Sequence, residues 1–346
     1  MAQADPKARL AAAIAASIQG FTPADARRSW AELGLDSFAL LSLRLAAEEA
    51  LGRELTDAEW LSAASPGDLL AVSRAGLQPR PAAAAGVTLA EQVRLSMPHM
   101  AMGGLSEGWL FRALGDLHWR LVGAGLGVLP HQLADAGGRR IFPAFGRIRF
   151  EASAPLGAFE EGETLAFEAS LQRFGAALFF SNVSVSSDGG RSIGAELMSS
   201  FAYPALEAGR LAAAQPVLPE RCAVPGLEAL PAFAAGFAER RQERDAPRPV
   251  LARCRYALQP QHDLNGLGLL YCAAYPVIAD ICEMRAAGDA ARWGAAPGPL
   301  SRDVFYFGNA GRGAALEWRL HEPSLATLAR DDGTVVALIE TQRGDR

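Results

Sequence analysis

The stretch Pro98-His-Met-Ala-Met-Gly-Gly-Leu105 has a counterpart later in the chain, at Pro260-Gln-His-Asp-Leu-Asn-Gly-Leu267. Proline, glycine and leucine stand at the same spacing in both stretches. The same offset takes Trp109 to the aromatic Tyr271. Internal repetition of this kind indicates a duplicated structural unit.

Three further correspondences support the duplication. The same offset takes Phe145-Gly146 to Phe307-Gly308. After an insertion in the first copy, Gly162-Glu-Thr-Leu-Ala-Phe167 matches Gly313-Ala-Ala-Leu-Glu-Trp318. Asp188-Gly189 and Asp332-Gly333 each stand between alternating apolar segments, which is typical of a hairpin turn. Because the matches occur in the same order, we predict two copies of one fold.

Each copy has the same predicted order of elements: a strand, a glycine-containing loop, a long apolar helix and then antiparallel strands. One helix followed by such strands is an α+β pattern. The predicted first strands are 87–97 and 250–259, and the predicted helices are 104–122 and 266–285. The later strands are 140–153, 163–172, 176–187 and 192–203 in the first copy and 302–309, 313–321 and 333–342 in the second.

The segment before the duplication reads as a bundle of three or four helices. Apolar residues at helical spacing predict a helix over 7–19 and another from Ser37, on which Arg44, Glu48 and Glu49 would face solvent. A third short helix would begin at Thr56, and Ser65-Pro66-Gly67-Asp68 has the residues of a capped helix start. The expected domains are 1–77, a Pro/Ala linker at 78–86, and two units at 87–215 and 216–346.

The stretch Leu33-Gly-Leu-Asp36-Ser37-Phe-Ala-Leu-Leu41 resembles the phosphopantetheine attachment motif of acyl carrier and peptidyl carrier proteins, and the resemblance covers residues 7–75. It implies that Ser37 carries covalent 4′-phosphopantetheine, added by a phosphopantetheinyl transferase. A phosphodiester at a helix N-terminus is physically reasonable, because unpaired N–H groups and the positive end of the helix dipole meet there. The other interpretation is an unmodified relic, against which the intact Asp36-Ser37 pair argues.

The duplicated unit resembles the hot-dog fold, in which a sheet wraps a central helix, and two copies would make a double hot-dog. Asp263-Leu-Asn-Gly-Leu-Gly-Leu-Leu-Tyr271 resembles the helix entry of hot-dog thioesterases and dehydratases. Residues 97–119 are similar to the LnmK type of double hot-dog protein, a bifunctional acyltransferase/decarboxylase of polyketide biosynthesis. This resemblance implies acyl-CoA as substrate, methylmalonyl-CoA with decarboxylation as a specific case, and polyketide synthase or related assembly-line enzymes as partners.

Backbone N–H groups at the two predicted helix entries, beside Gly104 and Gly266, could form an oxyanion site; the alternative is that these glycines only permit a tight loop. Several polar side chains lie at or just before those entries. His99 or His262 could be a general base, Asp263 could be a base or orient one, and Asn265 could bind the thioester carbonyl. Ser106 is a further candidate. The structural alternatives are a helix cap for Asp263, a first-turn surface residue for Ser106 and loop histidines. Asp116 and His118 are expected to be packing partners.

The LnmK type is thought to use a tyrosine as acyl acceptor, and all five tyrosines here lie at or after the end of the first copy. Either Tyr271 or Tyr275 serves, or the chain runs different chemistry on the same fold. The alternatives to acyl transfer are a dehydratase or thioesterase that acts on carrier-bound chains, and a non-catalytic acyl-binding hot-dog.

Composition limits the remaining classes. The chain has 346 residues, of which 50% are hydrophobic and 21% charged, and this excludes a mainly disordered protein. A net charge of −5 disfavours nucleic-acid binding. No apolar run is long enough for a transmembrane helix and no signal peptide is evident, so no membrane association and a cytoplasmic location are expected. The four cysteines fit neither a metal site nor a disulfide framework. Lys7 is the only lysine, which excludes a lysine base in the large unit.

Overall fold

A computed structural model describes residues 6–18, 20–30, 32–33, 35, 37–51, 55, 59–60, 63–72, 86–204, 211–219, 222–288 and 298–344. It confirms the predicted α+β class, with a small helical unit followed by a double hot-dog. The helices are α1 Pro6–Ser17, α2 Ser37–Leu51, α3 Pro66–Val72, α4 Glu107–Leu126, α5 Ala232–Gln242, α6 Pro260–Asp263 and α7 Ala274–Ala287. The strands are β1 Val87–Arg94, β2 Met100–Ala101, β3 Gly104–Leu105, β4 Phe142–Ala152, β5 Thr164–Phe174, β6 Leu178–Ser187, β7 Ser192–Pro204, β8 Leu211–Ala214, β9 Ala252–Ala257, β10 Pro299–Tyr306, β11 Ala315–Glu322, β12 Leu325–Arg330 and β13 Val335–Arg343.

The helical unit has a core of its own. Leu10, Ile14 and Ile18, the predicted apolar face of α1, are buried. At the start of α3, Asp68 N–H donates to Ser65 Oγ at 3.3 Å, as its capping sequence predicts. The expected start of a third helix at Thr56 lies outside the described residues, as does most of the 78–86 linker.

One prediction about α2 is wrong. Arg44 and Glu48 are buried, each with 2% of its surface exposed. They form an ion pair 2.9 Å long between Arg44 Nε and Glu48 Oε1. The burial has a structural cause, because α2 packs against β8 of the large unit.

The order of strands in the large sheet shows the duplication directly. The order is β1-β5-β6-β7-β4-β10-β13-β12-β11-β9, and β8 pairs with β7. The first five strands of this path match the last five read backwards, so the two copies join through the antiparallel pair β4 and β10. Helix α4 packs on β1, β5, β6 and β7, and α7 packs on β9, β11, β12 and β13. The apolar faces of both helices therefore share one core with the sheet.

The hairpin turns are as predicted, but other boundaries are not. Asp188 follows β6 and Asp332 follows β12, each before the next strand of its copy. Strands β8 and β12 and helix α5 were missed. The predicted helix over 266–285 is wrong at its start, because α7 begins only at Ala274.

Two of the repeat correspondences are also inexact. The bridge between Leu264 and Leu270 matches the β2–β3 pair of Met100 and Leu105, so Leu105 corresponds to Leu270 and not to Leu267. Phe145 pairs with Ser199 late in β7, whereas Phe307 N–H donates to Val336 at the start of β13. Insertions within the entry loop and strands shift the register between copies.

A second layer covers the outer face of the central strands. Phe233 and Phe237 of α5 join a separate apolar cluster with Phe305 and Phe307. Arg147 Nη1 donates to the Phe233 carbonyl, and the same guanidinium binds Asp303 through two hydrogen bonds. Helix α5 therefore fixes the junction of the two copies from outside.

Candidate functional site

Helix α2 begins at Ser37 and continues for 15 residues. Its first backbone N–H groups have no acceptor within the helix, so this end can receive a phosphodiester. The position of Ser37 therefore fits an attachment point for 4′-phosphopantetheine, which supplies a thiol on a flexible arm when it is attached.

A cavity of about 430 Å³ lies between the two copies. The middle of α4 and the start of β4 form one side, and the loop that leads into α7 forms the other. Its apolar wall includes Trp119, Phe142, Phe145, Leu269 and Leu270, and its polar residues include Asp116, Arg140, Asn265, Tyr271 and Asn309. An apolar pocket with a few convergent polar groups is the usual form of a small-molecule site.

Tyr271 has the available hydroxyl in this cavity. Three tyrosines line it, and the hydroxyls of two already donate hydrogen bonds. Tyr275 donates to the Gly308 carbonyl at 2.9 Å and Tyr306 donates to the Cys272 carbonyl at 3.0 Å. No hydrogen bond to the Tyr271 hydroxyl is found within the described part of the chain. Burial raises the pKa of Tyr271 to about 12, so the hydroxyl is a neutral donor near pH 7.

Asp116 is the acidic side chain of the cavity. It lies on α4, and 64% of its side chain is exposed. Its negative charge contributes to the raised pKa of Tyr271, which places the two groups in the same electrostatic environment. The expectation that Asp116 only packs is therefore wrong. His118 is buried and packs as expected. Its Nδ1 lies 2.7 Å from Ser181 Oγ and its Nε2 lies 2.6 Å from Ser199 Oγ.

The loop before α7 brings Asn265 and Gly266 to the cavity. Asn265 Oδ1 accepts hydrogen bonds from the N–H groups of Leu267 and Leu269, at 2.9 and 3.2 Å, which holds the loop. Its amide nitrogen has no partner among the described residues and can donate to a ligand. Gly266 lies eight residues before α7, so the predicted oxyanion site at a helix N-terminus is absent at this glycine.

The other predicted site residues do not line this cavity. His99 Nδ1 accepts from the Ser96 N–H at 2.9 Å, and the ring meets Trp109 edge-on. Ser106 is the N-cap of α4 and accepts from the Trp109 N–H. Gly104 precedes α4 by three residues, and a Cβ there would lie 2.5 Å from the Gly157 Cα, so this glycine permits a close approach of two loops.

His262 and Asp263 belong to the short helix α6. His262 is exposed, and no hydrogen bond of its side chain is found in the described part of the chain. Asp263 is buried; its Oδ2 accepts from the Gln259 N–H at 2.6 Å, and its Oδ1 lies 3.4 Å from the Tyr256 hydroxyl. These contacts give Asp263 a structural role within α6, but it does not cap α7, whose N-cap is Ala273.

The entry of the first copy is filled by an ion-pair cluster. Arg302 of β10 donates to Glu107 in the first turn of α4 and to Asp280 of α7. Burial raises the pKa of Glu107, although the positive charge of Arg302 acts to lower it. The two helix entries therefore differ: charged side chains occupy the first, and the second borders an open cavity.

The thiols near the site are poor nucleophiles. All four cysteines are free. Cys272 lines the cavity, but burial raises the pKa of its thiol to about 12, and the thiolate is the reactive form. Within the described ranges, no group of three or more His, Cys, Asp and Glu side chains is arranged to hold a metal ion. Nor does any helix in those ranges combine the length and apolar character needed to cross a bilayer.

Sequence reasoning missed Asp116, Arg140 and Asn309. Arg140 lies 4.8 Å above the Phe142 ring, which in turn stacks on Trp119. A polar residue between buried neighbours was a usable signal at Asp116, because Gly115 and Leu117 beside it are buried. Arg140 and Asn309 carried no comparable signal, because only the packing of the two copies brings them to one cavity.

Comparison with known proteins finds similarity in two parts of the chain. Residues 9–72 match the family "Phosphopantetheine attachment site". A 12:0-ACP thioesterase from Umbellularia californica has a similar structure, with a TM-score of 0.52 and 11% identity over 75% of this chain and 98% of the other. A protein assigned as an oleoyl thioesterase from Lactobacillus plantarum gives a TM-score of 0.51 with 10% identity and the same coverages. No curated protein sequence matches the chain significantly.

The N-terminal helical region is therefore similar to phosphopantetheine attachment domains, and the remainder has the hot-dog fold seen in the two thioesterase structures. At such low identities the structural similarity shows the fold alone.

Proposed function

We propose that the chain is an acyl-thioester enzyme that transfers acyl groups between acyl-CoA and a phosphopantetheine arm on Ser37. The observation that carries this proposal is the cavity between the copies, where the free Tyr271 hydroxyl and the Asp116 carboxylate share one apolar pocket. A non-catalytic acyl-binding module would not need an available donor and an acid together.

The cavity residues have separate roles in this proposal. The apolar wall holds the acyl chain. Tyr271 and the Asn265 amide donate hydrogen bonds to the thioester carbonyl oxygen, on which negative charge develops during attack. Asp116 takes the proton of the attacking arm thiol as general base, and returns it to the CoA sulfur when the bond between that sulfur and the acyl carbon breaks. His99, Ser106, His262, Asp263 and Gly104 are not among the residues that line the cavity and have no part in the proposed reaction, and Gly266 is part of the cavity rim.

Hydrolysis is the second candidate, with water in place of the thiol. Its support is the exposure of Asp116, since a base that faces solvent can activate water. No histidine is found among the described residues that line the cavity, so Asp116 is the base in either reaction.

A malonyl-type substrate, which the LnmK resemblance implied, has one observation in its favour. Arg140 lines the cavity, and no ion pair to it is found among the described residues. Its guanidinium can bind the free carboxylate of a dicarboxylic acyl group. An ion pair with Arg140 would also stabilise that carboxylate and so disfavour its loss as CO2. We therefore propose only that the cavity binds a malonyl-type acyl group, and whether decarboxylation follows is to be measured.

The test follows the mass of the arm. Holo protein is incubated with acetyl-, propionyl-, malonyl- and methylmalonyl-CoA and analysed by intact mass spectrometry, with Ser37→Ala as control. We expect acylation by at least one donor in the wild type and none in Ser37→Ala. Rapid loss of an acyl group preloaded on the arm would instead identify a thioesterase. If no donor charges the arm and a preloaded group is stable, the proposed enzyme function is wrong.

A further inference from the structure

Strand β8 lies between the carrier and the acyl cavity. Leu211, at its beginning, lines the cavity between the copies. Ala213 and Ala214, at its end, line a separate cleft in which the carrier meets the large unit. The strand is only four residues long, so both surfaces belong to one short element.

The neighbouring strand repeats this arrangement. Ala202 of β7 pairs with Ala213 and lines the acyl cavity, whereas Phe201 pairs with Ala214 and lines the carrier cleft. The β7–β8 pair therefore contributes residues to both the cavity and the cleft.

The chain's own carrier forms one side of the cleft. Trp30, Leu40, Arg44 and Trp60 line its carrier side, and α2 packs on β8. Leu40 lines the cleft and is not among the described side chains that form the carrier core. The Glu48 carboxylate also approaches the backbone of Gly175, where a Cβ would lie 2.8 Å from Oε2.

We propose that β8 couples carrier docking to acyl binding: α2 holds the end of β8 in place, and β8 thereby completes the wall of the acyl cavity. The acyl-binding part rests on the proposed function. Because β8 is an edge strand that pairs only with β7 among the described strands, the carrier supplies packing that the sheet alone does not provide. By linkage, an acyl group in the cavity must strengthen docking by the same factor.

The experiment uses the full-length chain in a Ser37→Ala background, so that no arm competes for the cavity. Leu40→Glu disrupts the cleft from the carrier side and Ala213→Glu from the sheet side; Ala12→Glu, on an exposed position of α1, is the matched control. Hydrogen exchange of residues 211–214 reports docking. The binding of octanoyl-pantetheine, measured by calorimetry, reports the cavity. Circular dichroism checks that each variant folds, and the sheet-side variant remains informative if Leu40→Glu unfolds the carrier.

We expect Leu40→Glu and Ala213→Glu to accelerate hydrogen exchange at 211–214 about tenfold. Both variants should also bind octanoyl-pantetheine about fivefold more weakly. Ala12→Glu should change neither quantity. Exchange that stays at the control rate in both cleft variants would overturn the docking role of β8. Faster exchange with unchanged affinity would overturn the coupling. Failure of the probe to bind any chain would overturn the acyl cavity itself, and the proposed function with it.

Discussion

The Arg302 guanidinium forms two hydrogen bonds with the Glu107 carboxylate, Nε to Oε1 at 2.6 Å and Nη2 to Oε2 at 2.8 Å. The pair joins a central strand of the second copy to the first helical turn of the first copy. Both side chains are buried, with 1% and 8% exposed. The contact joins the two copies at the start of α4.

We predict that Arg302→Met destabilises the chain by about 3–5 kcal/mol, because it leaves the buried Glu107 carboxylate without its partner. It also removes one of the two arginines that bind the partly exposed Asp280. Urea denaturation at pH 7 measures the change. The matched control is Arg120→Met, which removes partly exposed ion pairs with Glu91 and Asp116 and should cost less than about 1 kcal/mol. Equal losses of unfolding free energy in the two variants would show that the buried ion pairs of Arg302 do not stabilise the junction of the two copies.

His118 predicts a pH dependence of stability. Burial lowers its pKa from 6.5 to about 3, so the folded protein holds this histidine neutral while the unfolded chain binds a proton below pH 6.5. Its contribution is therefore complete above pH 6.5 and is lost as the pH falls towards 3. Between pH 7 and pH 5 the loss is about 2 kcal/mol.

Urea denaturation of the wild type and His118→Gln at both pH values tests this point. We expect the wild type to lose about 2 kcal/mol more than the variant over this interval. Parallel losses in the two proteins would mean that His118 is not held neutral.

The two glycines that sequence analysis paired should behave differently. Gly104 has φ of +106°, and a Cβ would meet the Gly157 backbone, so Gly104→Ala should cost more than about 2 kcal/mol. Gly266 has nothing within 4 Å of a Cβ, so Gly266→Ala should stay within about 0.5 kcal/mol of the wild type. Thermal denaturation compares them, and similar losses in both would contradict the different structural roles.

Much of the fold could be predicted from sequence because it depends on local patterns. Apolar periodicity identified α1, and the turns at Asp188 and Asp332 fixed the hairpins of both copies. The start of α7 was misplaced because Asn265 and its loop satisfy their backbone groups without a helix. Arg44 was assigned to solvent because helical periodicity does not reveal that another domain covers the helix.

The candidate site was less predictable than the fold. Tyr271 and Asn265 were found because they lie in one recognisable stretch. Asp116 is far from them in sequence and reaches the cavity only through the packing of α4 against the second copy. His99 and Ser106 occupy the corresponding entry of the first copy, where the duplication suggested a second site, but Glu107 and Arg302 fill that entry.

Asp116→Asn should lower the rate of acyl transfer to or from the arm by about a hundredfold or more, because the amide cannot accept the nucleophile's proton. Binding of octanoyl-pantetheine should change little, since the apolar wall is intact. Asp245→Asn is the control, because its side chain is 65% exposed and lies outside the cavity lining, and this variant should keep the wild-type rate. A wild-type rate in Asp116→Asn would exclude this residue as the base.

The most direct test of the proposed site compares Tyr271→Phe with Tyr275→Phe in the holo protein, by the rate at which the mass of the acylated arm changes. Both substitutions remove one hydroxyl, but the Tyr275 hydroxyl is already bound to the Gly308 carbonyl. We predict a rate about 10²–10³-fold lower in Tyr271→Phe and a rate near the wild type in any Tyr275→Phe protein that folds. A wild-type rate in Tyr271→Phe would contradict acyl chemistry in the cavity between the copies.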